Sequence, residues 1–141
     1  MTPLQLVLDT NTVIPALFFR REKWTWLKQS WKMARIVPLL CNATTLELMT
    51  VLNYPKFHLA KEDQTLIMAE ILPFVKVCPD PSPSENLPPC RDPKDQIFLQ
   101  LAWVSKAQYL VTGDKDLWEY QAPEGLTILT PATLKNRLNP Q

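Results

Sequence analysis

The run Leu4-Gln5-Leu6-Val7-Leu8, followed at once by Asp9-Thr10-Asn11-Thr12, constrains this chain more than any other stretch. A short apolar run bounded by polar, helix-starting residues reads as a strand buried on both faces. Such strands belong to parallel sheets covered by helices on each side. Asp9 then stands at the carboxyl end of its strand, where open α/β sheets place their ligand sites. A simpler role is also open, since Asp, Thr and Asn are all good helix N-caps. What decides between the two is whether other carboxylates return to the same edge.

The rest of the chain repeats the opening pattern. Apolar runs at Ile36–Leu40, Phe74–Cys78, Tyr109–Thr112 and Thr127–Leu129 predict four more strands. Pro38, near the middle of the second, counts against it, because proline cannot donate to a ladder. Helical patterns fall between the strands: Thr12–Phe19 with Pro15 near its first turn, Arg20–Arg35, and Asn42 or Thr44 to Asn53. Others cover Lys61–Leu72, Asp92–Lys106, a short piece from Asp116 to Tyr120, and Pro131–Leu138. Strands alternating with helices imply parallel pairing and an α/β class. Six prolines between positions 79 and 93 predict an extended surface loop. Glycine occurs only twice, so Gly113 and Gly125 are expected at special turns.

Length and composition narrow the function classes. A chain of 141 residues is expected to form one domain, 1–141, burying about two-thirds of its unfolded surface. No apolar run approaches the roughly 20 residues that cross a bilayer, so no membrane partner is expected. No basic region precedes the first apolar stretch, which argues against a secretory signal. Three cysteines (Cys41, Cys78 and Cys90) lack metal-cluster spacing, and their odd number argues against a disulfide framework. A cytoplasmic location is the expectation. The net charge of +1 gives no global sign of nucleic acid, so such a partner must be argued locally.

One local patch invites that argument. Trp24, Leu27, Trp31 and Ala34 make an apolar stripe at helical spacing, and Lys28, Lys32 and Arg35 line the opposite face. Arg20, Arg21 and Lys23 stand at its entrance. Basic residues interleaved with tryptophan can hold single-stranded nucleic acid by charge and stacking. They equally describe an amphipathic helix packed on a core with a solvated basic face.

The acids are more telling. Asp9 and Asp114 each follow a predicted strand. Asp95 opens a helix, one turn before Leu99 and two before Ala102 and Trp103, which places it on or beside the buried face. Glu47 shares a helix face with Ala43 and Val51, next to Leu48 and Leu52. Asp92 has a sufficient explanation as N-cap, with Pro93 at the favoured first position. Asp116 could cap the short helix after Asp114. In a parallel sheet, strand exits and the starts of following helices lie along one edge, so these acids can converge. At an effective dielectric near 20, each carboxylate pair about 5 Å apart costs on the order of 3 kcal/mol. Such a cluster must hold protons or bind a cation. Oxygen ligands without His or Cys suit Mg²⁺ or Mn²⁺, and such an ion can activate water against a phosphate.

Taken in order, these residues resemble the PIN-domain family. The resemblance rests on Leu8-Asp9-Thr10-Asn11, then Glu47, then Asp92-Pro93-Lys94-Asp95 with Ala102, then Val111-Thr112-Gly113-Asp114-Lys115-Asp116-Leu117. Leu52-Asn53-Tyr54-Pro55-Lys56-Phe57 is similar to a segment of the VapC-like branch, the toxin components of toxin–antitoxin systems. The resemblance implies a three-layer α/β/α sandwich with a central, mostly parallel five-stranded sheet. It implies a Mg²⁺- or Mn²⁺-dependent endoribonuclease acting on RNA, often a homodimer, held inactive by an antitoxin protein. By matching positions, Asp9, Glu47, Asp95 and Asp114 would form the acidic metal site, with Asp116 as a further ligand. Asn11 and Thr10 would orient Asp9 or the attacking water. Asp92 matches a recurrent acid, as ligand, cap or supporting group. Arg20, Arg21 and Lys23 are candidate phosphate contacts, and His58, the only histidine, is expected at the surface.

Two other readings compete. A PIN-like module could bind RNA or protein without cutting. A haloacid-dehalogenase-like phosphatase also starts with a strand ending in aspartate, but needs a second aspartate where this chain has Asn11.

Overall fold

The computed structural model describes residues 2–18 and 22–139. Five strands form one parallel sheet: β1 (Leu4–Leu8), β2 (Ile36–Leu40), β3 (Lys76–Val77), β4 (Tyr109–Val111) and β5 (Ile128–Leu129). Their spatial order is β3-β2-β1-β4-β5. The helices are α1 (Thr10–Leu17), α2 (Thr25–Lys32), α3 (Asn42–Leu52), α4 (Lys61–Met68), α5 (Gln96–Val104), α6 (Lys115–Trp118) and α7 (Pro131–Leu138). The expected α/β class is what the chain adopts, and the sheet, expected to be mostly parallel, is parallel at every pairing.

Two cores flank the sheet because strand residues alternate between its faces. Leu6, Leu8, Ile36 and Val111 pack with Leu17 of α1, Leu27 and Trp31 of α2, Met68 of α4 and Leu134 of α7. On the other face, Val7, Leu39 and Leu110 pack with Phe98, Leu99 and Ala102 of α5 and Leu117 of α6. This gives the α/β/α layering. The order also fixes where a site belongs. From β1 the chain first winds toward β2 and β3, then returns to the other side for β4 and β5. The crevice beyond the carboxyl ends of β1 and β4 is therefore the topological switch point.

Several boundaries move from their sequence expectations. Pro38 is accommodated inside β2. Leu40 offers its carbonyl to the Cys78 N–H on the β3 side, and Pro38, two residues earlier, faces the same way. Its missing donor falls before β3 begins at Lys76, so no ladder bond is lost. α1 starts at Thr10, which places Pro15 inside the helix and leaves the Asn11 carbonyl without its usual i+4 donor. The Arg20–Arg35 segment is shorter than expected. Among its described residues, a 3₁₀ turn at Glu22–Trp24 precedes α2, which ends at Lys32. Ala34 then takes a left-handed φ of 58°, so it closes the helix and is exposed instead of extending the apolar stripe.

The helix expected over Lys61–Leu72 stops at Met68 and gives way to a 3₁₀ turn at Leu72–Phe74. Met68 and Ile71 carry its burial, while Leu66 is 68% exposed. Gly125 has a φ of 98°, a conformation that favours glycine, whereas Gly113 has open space around it and no left-handed backbone. The strand exit at Gly113 therefore does not depend on glycine, contrary to expectation. The proline-rich loop is pinned at intervals: Leu87 is buried, Tyr120 Oη donates to the Pro88 carbonyl at 2.5 Å, and the Cys90 N–H donates to Gln96 at 2.9 Å. Asp80 accepts the Ala43 N–H at 3.0 Å, capping α3 from a distance. No helix among the described residues is long and apolar enough to cross a membrane.

Candidate active site

Asp9 leaves β1 in extended conformation and is the N-cap of α1, its side chain accepting from the Thr12 N–H at 2.9 Å. Its other carboxylate oxygen accepts from the hydroxyl of Thr112. Asp9 is only 5% exposed, and both oxygens are committed. α1 is itself mostly buried, so its cap is drawn out of solvent with it. Register explains the second partner: Leu8 pairs with Val111, so the next residues outward, Asp9 and Thr112, stand side by side as their strands end.

Thr112 is fully buried and went unnoticed in the sequence. Only register marks it, since it lies one step beyond Val111, which pairs with Leu8. Its oxygen also accepts the Asp114 N–H at 3.0 Å, so one hydroxyl couples the two strand exits. Trp118 Nε1 donates to the Thr112 carbonyl at 2.7 Å, closing the same turn. Asp114, and not Asp116, caps α6, accepting the Asp116 N–H at 2.9 Å.

Asp95 ends a 3₁₀ turn, Pro93–Asp95, that leads directly into α5. Asp92 is the N-cap of that turn, accepting the Lys94 N–H at 3.0 Å. Glu47 lies half-buried on the rim of α3, whose buried line is Thr44, Leu48 and Leu52. Thr10 donates to Glu47 Oε2 at 2.8 Å, which ties α3 to the residue following Asp9. Thr10 thus holds Glu47. Asn11 is exposed, and the partners of Asp9 are Thr12 and Thr112. Asp116 faces Arg91, with Nη1 3.0 Å from its carboxylate.

The basic candidates divide differently. Arg20 and Arg21 lie outside the described residues. Lys23 is exposed, its ammonium 6.0 Å from the Trp24 ring centroid. Lys28 and Lys32 both pair with Glu70, at 3.1 and 2.8 Å. Trp31 is buried and donates its indole N–H to the Glu70 carbonyl at 3.0 Å. His58 is exposed, as expected.

Electrostatics link the acids to one another. Burial pushes the Asp95 carboxyl up to about 7, reinforced by the charge of Asp114, a hydrogen bond with it, and the charges of Asp92 and Asp9. Asp9 is raised mainly by burial, against the pull of its Thr112 and Thr12 hydrogen bonds, with Asp114 adding to the rise. Asp9, Asp95 and Asp114 therefore feel one another across three elements. Among the described residues, no three Asp, Glu, His or Cys side chains are already spaced as a metal-holding group. The donor chemistry nevertheless suits a hard divalent cation: carboxylate oxygens, anchored from behind by hydroxyl and amide donors. A cation and a shared proton are alternative ways to relieve the same repulsion.

Solved structures with this arrangement of elements are known. VapBC2 from Rickettsia felis, crystallised bound to a DNA fragment from its promoter, superposes with a TM-score of 0.61 at 14% identity, covering 90% of this chain and 98% of that one. The PIN domain endonuclease Utp24 gives 0.57 at 16% identity, over 92% and 86%. PAE2754 from Pyrobaculum aerophilum gives 0.57 at 19%, over 98% and 91%. At these identities the likeness is one of fold. No curated protein matches the chain in sequence. The PIN domain family model matches residues 5–116, a span that contains Asp9, Glu47, Asp95, Thr112 and Asp114, and this chain belongs to the PIN domain family.

Proposed function

We propose that this chain, acting as one domain, is a Mg²⁺- or Mn²⁺-dependent endoribonuclease, the toxin component of a toxin–antitoxin pair. The observation that carries the reading is the gathering of Asp9, Asp95 and Asp114 at the switch-point edge, where burial first, and then the charges of Asp114, Asp92 and Asp9, push Asp95 up to about 7. Fold likeness to the endonuclease Utp24 supports the nuclease half, and likeness to VapBC2 supports the antitoxin partner and a VapC-like branch. A homodimer accords with the same branch.

In this reading Asp9, Asp95 and Asp114 hold the ion, and Glu47 completes its shell or takes a proton from the attacking water. The bound ion would supply an activated water and charge neutralisation at the phosphate. Thr112 and the Thr12 N–H fix the Asp9 carboxylate, and Thr10 aims Glu47. α6 and its Asp114 cap are fixed in turn through Thr112. Burial of Asp9 keeps bulk water from its oxygens and strengthens every interaction there.

The test is incubation of purified protein with RNA and Mn²⁺ beside Asp9→Asn. Cleavage that is metal-dependent in the parent and lost in the variant is expected. Cleavage persisting unchanged in the variant would overturn the site. p-Nitrophenyl phosphate should not be hydrolysed. A second reading has one observation in its favour. Among the described residues the acids are not spaced as a metal-holding group, which suits a non-catalytic module binding RNA or protein. Absence of metal-dependent cleavage together with retained RNA affinity would select it.

A further inference from the structure

The ion pair between Arg91 and Asp116 lies open to solvent. Arg91 is 74% exposed and Asp116 39%, and a pair so open to water contributes little to stability. The proline-rich loop has other anchors as well, in Tyr120, Gln96 and the buried Leu87. The position of the pair is more informative. Asp116 donates its own N–H to Asp114, so the guanidinium is tied to the turn that presents a candidate metal ligand. On the other side, Arg91 directly precedes Asp92, whose charge reaches Asp95. Arg91 thus stands at the lip of the acidic crevice, between the turn that starts α5 and the turn that starts α6.

An acidic crevice repels a phosphodiester even when a divalent ion sits in it. A nearby guanidinium offsets that repulsion and adds direction, since its planar fork matches two phosphate oxygens. The bond to Asp116 runs through Nη1, which leaves most of the five N–H donors of the fork for other acceptors. We propose that Arg91 binds a phosphate of the nucleic-acid backbone at this site and that Asp116 positions its guanidinium instead of ligating the metal. The proposal rests on the nuclease reading above for its substrate, yet it makes a separate claim about two residues.

The experiment uses the full chain and a short labelled single-stranded RNA. Arg91→Ala, Arg91→Lys, Asp116→Asn and the Arg91→Ala/Asp116→Asn pair are compared with the parent. Three readouts apply: KM and kcat, RNA affinity by fluorescence anisotropy in an Asp9→Asn background, and Mn²⁺ binding to RNA-free protein by electron paramagnetic resonance. Arg91→Ala should raise KM and weaken RNA affinity about tenfold or more, the scale of one charge-assisted bidentate contact. Arg91→Lys should recover part of the loss. Asp116→Asn should weaken RNA in the same direction and add little to Arg91→Ala, as expected of residues acting as a unit. Mn²⁺ binding should be unchanged throughout.

Tenfold weaker Mn²⁺ binding by Asp116→Asn, or unaltered RNA affinity in Arg91→Ala, would overturn the proposal. A parent that never cleaves RNA refutes the nuclease reading alone. The anisotropy comparison then still decides the role of Arg91.

Discussion

Two regions of this protein carry clustered charge, and they treat it in opposite ways. On α2, two lysines converge on Glu70, while Trp31 is buried with its indole N–H on the Glu70 carbonyl. Opposite charges meet there, and Glu70 is held below the ordinary carboxylate range chiefly by hydrogen bonds from Lys32 and Lys28. At the switch-point edge, like charges meet instead. Asp95 and Asp9 are pushed upward by burial and by their acidic neighbours. A region whose charges neutralise one another is built for the fold. A region that keeps carboxylates together is held ready for something from outside.

The contrast can be broken experimentally, and the largest effect belongs to the acidic edge. Asp9→Asn, Asp95→Asn or Asp114→Asn should each lower RNA cleavage by roughly 10³-fold, with circular dichroism unchanged. That is the loss of several kcal/mol of transition-state stabilisation expected from disrupting a metal site. Next comes Trp31→Ala, which should cost about 3–5 kcal/mol of stability in urea denaturation. Its RNA affinity per folded molecule should not change. Loss of RNA binding in a still-folded variant would make α2 a nucleic-acid platform and undo the comparison.

pH supplies a third handle. Asp95 and Asp9 have raised values, so the folded state holds protons that the unfolded chain releases near the ordinary aspartate value of 3.8. Metal-free stability should therefore fall as pH rises from about 4 to about 7. Mn²⁺ at a hundred times its Kd should restore about 2.7 kcal/mol. The gain in Tm should be larger near pH 8 than near pH 5, because protons compete with the ion for carboxylates. Equal gains at both would detach the acids from the metal.

Thr112→Val tests the link behind Asp9. A roughly 10–100-fold fall in metal affinity or activity is expected, the usual scale for a group orienting a ligand. The smallest effect falls on the cationic side. Lys32→Ala should cost under about 1 kcal/mol and leave cleavage alone.

The alternation of apolar runs with helical patterns was enough to read an α/β chain, because buried parallel strands need little besides local hydrophobicity. Asp9, Asp95 and Asp114 were legible as site candidates because each sits where a strand ends or a helix begins. Glu47 was legible only as an acid on an apolar side of its helix. Its bond to Thr10 depends on how α3 leans against α1, which nothing local dictates. Thr112 was missed because a single hydroxyl in a strand carries no signal until the register sets it beside Asp9. Lys28 and Lys32 looked like a free basic face because their partner, Glu70, lies on the far side of a strand and two helices in sequence. The exposed glycine at 113 misled for a different reason: scarcity suggested a backbone need that the turn does not have.

By itself, then, the sequence determined the class of fold, the family and the edge at which acids gather. These depend on short-range patterns: period-two and helical burial, caps, and residues at strand exits. Tertiary structure alone decided that β1 and β4 are neighbours, that Thr112 therefore holds Asp9, and that Arg91 meets Asp116. Those pairings join residues far apart in the chain, and their geometry is set by strand order and packing. For the run from Leu4 to Thr12, the sequence supplied the strand and the aspartate; the neighbouring strand supplied the Thr112 hydroxyl that holds the buried Asp9 carboxylate.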